Sequence, residues 1–288
     1  MTVVGIVGMG TMGLALAHLF AANNCEVRGF DSRRVSVSPE QSWSDHGSFT
    51  ISSSIRDCVQ DADVVIEAVA EDLDVKRTVL AEMSTYADGI LASNTSTFMP
   101  SVLAPSVRNP ERFLVAHFFN PPQLVPLVEI VPGPATAESA TAEIVDLLNR
   151  MGRHPVLLQR EVPGFVANRL QAALLREALA LVEEGIASPR AIDDIVAAGL
   201  APRWAAAGPI GVTDLGGLDI WEKVSAGLFP GLSNATEPSP LLAALVRTGH
   251  LGAKTGNGFY PHDPDTDGKT FHTMDQIFQL VRSSARDF

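Results

Sequence analysis

Cysteine is scarce in this chain. Cys25 and Cys58 are the two thiols in 288 residues. Their spacing matches no metal site, and two cysteines suggest no disulfide framework. Positive charge is also short: 21 Lys and Arg against 33 Asp and Glu leave a net charge of −12. That disfavours nucleic acid as a partner, because phosphate backbones are held by clustered Lys and Arg. An anionic cofactor is still allowed, since backbone N–H groups at a helix start can hold it locally. There is no internal repeat and no recognisable targeting segment, so the cytoplasm is the expected compartment.

Long uncharged runs are rare too, and the first is informative. Val3 to Asn24 carries no formal charge, and about 20 apolar residues suffice to cross a bilayer. Gly5, Gly8, Gly10 and Gly13 interrupt the run. No basic region precedes it and no convincing small-residue cleavage site follows, so neither a membrane span nor a secretion signal is expected.

What is present is a globular composition, 46% apolar and 19% charged, at a length that suits two domains. "VVGIVGMGTMGLALAHLF" reads as a buried strand over Val3 to Val7, a glycine turn, and a helix over Leu14 to Ala22. Gly8, Gly10 and Gly13 then form G-x-G-x-x-G, the dinucleotide fingerprint. One glycine makes the tight turn, one admits a pyrophosphate to the backbone, and one lets the helix pack closely. A second short strand, "CEVRGFD", ends at Asp31, placed to bind the adenosine ribose hydroxyls. A carboxylate there selects NAD over NADP, although Arg33 and Arg34 follow at once.

Strand and helix patterns then alternate. "FTI", "DVVIEAVA", "GILAS", "RFLVAHFF", "LVPLVEIVP" and "HPVLLQ" read as strands; "SSIRDCVQDA", "EDLDVKRTVLAEMSTYA" and "TAESATAEIVDLLNRMG" read as helices. This predicts an α/β fold, a Rossmann-type doubly wound parallel sheet over residues 1–160. Ser32 to Ser48 reads as a polar loop. Residues 161–288 form a mainly helical second domain. One long helix is expected over "VPGFVANRLQAALLREALALVEEG", and another starts with Ser188 as N-cap and Pro189 at the first helical position. "PLLAALVRTG" and "DQIFQLVRSSA" are further helices, and "HDPDTDG" reads as a loop.

Two residues stand out chemically. His117 lies near the end of an apolar strand, where open parallel sheets bind ligands. Glu129 is a single carboxylate in "LVPLVEIV", and buried carboxylates are rare unless paired. Held against the histidine ring, it would orient that ring and stabilise the imidazolium, making a general base. A core histidine without a chemical role is the alternative. "SNTS" offers Ser93, Asn94, Thr95 and Ser96 as polar groups after a strand, or as a cap for the next helix.

In order, "GMGTMG", "IEAVAEDLDVK", "SNTS", "HFFNPP" followed by "LVPLVE", "VPGFVANR" and "GAKTGNGFY" resemble the 3-hydroxyacyl-CoA dehydrogenase family, from residue 3 to about residue 260. The resemblance implies an NAD-binding Rossmann domain and a helical domain that dimerises. It implies His117 as the base, Glu129 as its partner, Ser96 on the substrate hydroxyl and Asn168 reaching the substrate or His117. For NAD it implies Gly8, Met9, Gly10, Thr11, Met12, Gly13, Asp31, Glu71, Lys76, Asn120 and Lys254. No metal is implied. The implied reaction is NAD-dependent interconversion of a 3-hydroxyacyl substrate, foremost a 3-hydroxyacyl-CoA, and its 3-oxo form in fatty acid metabolism.

One departure bears on the substrate. The fatty-acid enzymes usually carry a long helical hairpin after the aspartate, with basic residues for the CoA nucleotide. Here only Ser32 to Ser48 intervenes. A substrate without CoA is therefore the alternative: carnitine, gulonate, a pyridine carboxylate, or an acyl group on a carrier protein. Two rivals lie outside the family's chemistry. A 6-phosphogluconate-type dehydrogenase would need a catalytic lysine in a glycine-rich helix, and none lies near Arg169 or Arg176. A crystallin-like or NAD-sensing protein would not need Ser96, His117, Glu129 and Asn168 together.

Overall fold

The structure, a computed structural model, describes residues 1–33 and 47–283. Two compact units emerge, Met1–Val166 and Ala167–Phe288.

In the first unit, short runs form strands that are buried at the centre of the sheet and mostly exposed at its two edges, β3 and β8. β1 (Val3–Val7), β2 (Glu26–Phe30), β3 (Ser48–Ile51), β4 (Val64–Glu67), β5 (Ile90–Ser93), β6 (Phe113–Phe118), β7 (Leu127–Pro132) and β8 (His154–Leu157) make one sheet in the order β3-β2-β1-β4-β5-β6-β7-β8. The reversal of order beside β1 is the switch point where doubly wound sheets open a ligand crevice. Pairing is parallel except between β6 and β7. The expectation of a wholly parallel sheet is corrected there. Only Phe119 to Pro126 joins the two strands, too short for the crossover of a dozen or more residues that a parallel pair needs.

Alternate strand side chains feed opposite cores. Val4, Ile6, Val27, Ile66 and Leu114 face α1 (Thr11–Ala22) and α5 (Glu138–Arg150), through Leu16, Phe20, Ile144 and Leu148. Val7, Val65, Leu91 and Phe113 face α2 (Ile55–Val59) and α3 (Leu73–Tyr86), through Ile55, Cys58, Leu80 and Met83. Each such side chain, fully buried, contributes about 1.5–3 kcal/mol. Ser54 caps α2 by accepting from Asp57 N, and Asp72 caps α3 by accepting from Asp74 N and Val75 N. A short helix, α4 (Pro100–Leu103), follows β5.

The second unit is helical: α6 (Ala167–Glu183), α7 (Pro189–Ile195), α8 (Ala201–Gly216), α9 (Leu218–Leu228), α10 (Pro240–Arg247) and α11 (Pro264–Ser283). Ser188 caps α7 through Ala191 N, with Pro189 at the first position, as expected. The long helix begins later than the sequence suggested, because Gly164 and Phe165 adopt φ of +76° and +50°. The "HDPDTDG" loop is corrected as well: α11 starts at Pro264, after Asp263 accepts from Asp265 N and Thr266 N. α8 and α9 lie in a stretch that the sequence left unassigned, and α8 is kinked at Gly208 and Pro209. By length and composition alone, Pro189–Gly216 is long and apolar enough to cross a membrane.

Candidate active site

The parallel strands β1, β2, β4, β5 and β6 end on one edge of the sheet. Residues at and beyond those ends line a cavity of about 860 Å³, among them Gly8, Gly10, Asp31, Glu71, Ser96, His117 and Asn120.

The glycine turn divides its work in space. A Cβ on Gly8, whose φ is +98°, would meet the Ala68 carbonyl at 2.6 Å. One on Gly13 would stand 1.8 Å from Gly8 O. These two let the turn and α1 close against β1 and β4. Gly10 is different: nothing lies within 4 Å of its Cβ position, so it faces open space at the start of α1. That is a cradle for an anion at a helix N-terminus. Thr11 and Met12 also line the cavity. Met9 does not: its side chain lies in the core, and its N–H donates to Asp31 Oδ2 at 2.9 Å.

Asp31 takes that bond and a second from Arg33 N at 2.8 Å. Burial pushes its carboxyl up, but these N–H groups and the Arg33 guanidinium outweigh burial and hold it below the ordinary value. The charged, fixed carboxylate suits a ribose diol. Arg34 and most of the Ser32 to Ser48 loop lie outside the described residues.

Behind the cavity is a buried charge cluster. Lys76 Nζ lies 2.9 Å from Glu67 Oε1 and 3.1 Å from Glu71 Oε2. Lys76 and Glu67 are 1% and 0% exposed at their side chains. Two carboxylates around one ammonium leave a net negative charge, so Lys76 is balanced within the protein itself. Glu67 also takes the Ser93 hydroxyl at 2.5 Å and Val69 N at 2.7 Å. Glu71 takes the Thr95 hydroxyl at 2.5 Å and the N–H groups of Ser96 and Thr97 at 3.2 and 3.1 Å. Burial raises the Glu71 pKa, and the Thr95 hydroxyl and Lys76 lower it further than burial raises it. Asp72, not Glu71, caps α3. The "SNTS" turn is thus anchored from beneath by two glutamates. Glu67 is a structural member of the site that the sequence does not single out, and Ser93, one of the polar groups of the turn, is its hydroxyl partner. The signal was present, since Glu67 ends an apolar run, "VVIE", as Glu129 interrupts one.

The antiparallel β6–β7 pairing sets His117 directly opposite Glu129. His117 Nδ1 lies 2.9 Å from Glu129 Oε2, and both side chains are buried. With Nδ1–H donated to the carboxylate, Nε2 is the basic atom of the ring. Glu129 Oε1 accepts from Val166 N at 3.0 Å. The rings of Phe119 and Phe165 lie 4.4 and 5.5 Å from the imidazole centroid. Asn94 ties the ends of β5 and β6 by accepting from Phe118 N at 3.0 Å. The first unit therefore brings together Gly8, Gly10, Thr11, Met12, Asp31, Glu71, Lys76, Ser96, His117 and Asn120 around one cavity, with Glu129 behind the histidine. Asn168 and Lys254 belong to the second unit. Asn168 is in the first turn of α6, and Lys254 lines an apolar cavity of about 610 Å³ with residues of α6, α7 and α10. Burial pushes the Cys58 thiol up to about 12, so it is no nucleophile at neutral pH. Among the described residues no group of three or more His, Cys, Asp or Glu is arranged to hold a metal ion.

A dinucleotide cradle beside an oriented histidine defines a nicotinamide-dependent dehydrogenase. Comparison with known proteins makes this specific. The family description "3-hydroxyacyl-CoA dehydrogenase, NAD binding domain" matches residues 33–162, and its C-terminal domain matches residues 164–262. A 5-formyl-3-hydroxy-2-methylpyridine 4-carboxylate 5-dehydrogenase of Mesorhizobium japonicum is 32% identical over 91% of this chain and 91% of its own. A 3-hydroxybutyryl-CoA dehydrogenase of Mycobacterium tuberculosis is 34% identical over 90% of this chain and 98% of its own. Among solved structures, a 5-formyl-3-hydroxy-2-methylpyridine 4-carboxylic acid 5-dehydrogenase described as an NAD+-dependent dismutase superposes with a TM-score of 0.90, at 30% identity, over 99% of this chain and 100% of that one. An (S)-3-hydroxybutyryl-CoA dehydrogenase of Ralstonia eutropha gives 0.70 at 28% identity over 91% and 99%. The chain belongs to the 3-hydroxyacyl-CoA dehydrogenase family. It is an NAD-dependent dehydrogenase acting on a hydroxyl group.

Proposed function

We propose that the protein oxidises the 3-hydroxyl of a 3-hydroxyacyl substrate, reversibly, with His117 as general base. The observation that carries this is the buried His117–Glu129 pair, with His117 lining the cavity. Bound NAD supplies the hydride acceptor. His117 Nε2 takes the hydroxyl proton as hydride leaves the carbon. Glu129 offsets the imidazolium charge, and Ser96 holds the hydroxyl oxygen. Base catalysis is worth roughly 10²–10⁴ in rate, and the remainder rests on holding the reacting carbon in place.

A second reading concerns the substrate's handle. The superposition of 0.90 with a pyridine-carboxylate enzyme against 0.70 with a CoA enzyme favours a compact acid without CoA. The short Ser32 to Ser48 segment points the same way. The test is NADH formation from (S)-3-hydroxybutyryl-CoA, its pantetheine thioester and free 3-hydroxybutyrate. Strong preference for the CoA ester supports the first reading. Activity with the free acid alone supports the second, and equal use of both thioesters points instead to a carrier-protein or truncated thioester.

The working form in this proposal is a homodimer. Among the described residues of the second unit, Leu179 is the one buried large apolar side chain. Ile210, Leu215 and Leu280 are 81%, 84% and 69% exposed. So much apolar surface calls for a partner, and a second copy supplies it. Light scattering after size exclusion checks the mass; a monomer would overturn this part.

A further inference from the structure

We infer that Phe165 is a positioning residue for the histidine–glutamate pair, acting through one turn of unusual backbone. This rests on the reading of His117 as the base and deepens it.

Val162 to Val166 forms a turn in which Phe165 N donates to Val162 O at 3.0 Å. Gly164 and Phe165 both lie at positive φ, +76° and +50°. Glycine adopts this freely. A bulky aromatic residue does not, and such outliers persist where the surroundings enforce them. Two contacts enforce this one. The Phe165 ring is fully buried against Val115 and Val131, 5.5 Å from the imidazole centroid and tilted by 53°. The next peptide then points its N–H, that of Val166, at Glu129 Oε1 at 3.0 Å. A single backbone state therefore sets a ring against His117 and a hydrogen bond on Glu129. Were Phe165 in an ordinary extended or helical state, the following peptide would turn and both contacts would be lost.

Phe165 is not among the residues lining the cavity. Its influence on the reaction must pass through His117 and Glu129. The Val166 N–H also fixes which carboxylate oxygen faces the ring: Oε1 is occupied, so Oε2 meets Nδ1. Either oxygen would accept the Nδ1 proton; what the Val166 bond fixes is the orientation of the carboxylate, so that Nδ1 has a held acceptor and Nε2 is left as the base.

The test uses F165A, F165G and F165L in the full chain, with two readouts. The first is kcat per NADH-binding site, with the primary isotope effect from substrate deuterated at the reacting carbon. The second needs no substrate: the rate at which diethyl pyrocarbonate modifies His117, followed by mass spectrometry. Since misplacing a reacting group by about 1 Å costs about 10²-fold, F165A and F165G are expected to lose about that much in kcat. Their NADH affinity should stay within about twofold, which separates lost chemistry from lost binding. The isotope effect should rise and His117 should be modified faster. F165L, which keeps bulk but lacks the flat ring against the imidazole, should fall between the parent and F165A in kcat and in labelling rate. F165G should melt no lower than F165A, because glycine accepts the φ of this position.

An F165A enzyme with kcat per site within about threefold of the parent and an unchanged labelling rate would overturn the inference, as would a loss that follows NADH affinity. If F165A and F165G do not fold, F165L decides: parental kcat, isotope effect and labelling rate would overturn it. If the parent forms no NADH from any hydroxy substrate, the oxidoreductase reading fails, and the labelling rates still decide whether Phe165 shields and orients His117.

Discussion

His117 Nδ1 and Glu129 Oε2 stand 2.9 Å apart, on residues paired directly across two antiparallel strands. The pairing register, not a flexible loop, sets this distance. A base on rigid strands is held to the tolerance that proton transfer needs. The first prediction follows. In E129Q the amide would donate to Nδ1, and the ring proton would move to Nε2, the wrong tautomer for a base. Turnover should fall by about 10²–10⁴ while NADH affinity is kept, as steady-state kinetics and fluorescence titration would show.

The buried cluster predicts a stability effect. K76M leaves the fully buried Glu67 without its cation. Breaking a buried pair this way costs about 3–5 kcal/mol. Adding E67Q should recover a large part of the loss, because the fully buried charge is then gone and the remaining carboxylate, Glu71, is 38% exposed. Urea unfolding of the single and double variants checks both statements.

The glycine turn predicts a dissociation between folding and binding. G13A must push against Gly8 O at 1.8 Å and should lower the melting temperature without any ligand. G10A meets nothing within 4 Å and should leave that temperature unchanged, yet weaken NADH binding by crowding the pyrophosphate. Thermal melts with and without NADH separate the two.

Glu71 gives a pH dependence. Its carboxyl is held below its ordinary value of 4.5. A depressed carboxylate contributes stability that is full above that ordinary value and is lost as pH falls through its own lower one. E71Q should therefore be less stable than the parent at pH 7, with the gap closing only below about pH 4.5. Melting temperatures from pH 7 to pH 3 measure it; a gap independent of pH would contradict the ionised role.

Much of this was legible in the sequence, for physical reasons. The glycine turn, the apolar strands and the capped helices each depend on local chemistry. A lone carboxylate in an apolar strand announced a partner, and His117 was it. The same logic holds for Glu67, but its partner, Lys76, sits in a helix whose sequence gives no sign that a lysine is buried there. The direction of β7 was not legible from its apolar run, which reads alike either way; the short connection from Phe119 to Pro126 held that information. α11 was obscured because Asp and Pro suit both a loop and a helix start. Phe165 was hidden because nothing in "VPGFVANR" marks a phenylalanine as adopting a glycine-like backbone.

The most direct test of the central claim is turnover by H117N, measured with saturating NAD and a hydroxy substrate that the parent oxidises. The account predicts loss of at least about 10² in kcat, with NADH affinity intact because the cradle at Gly10 and Asp31 is untouched. Parental turnover by H117N would contradict it.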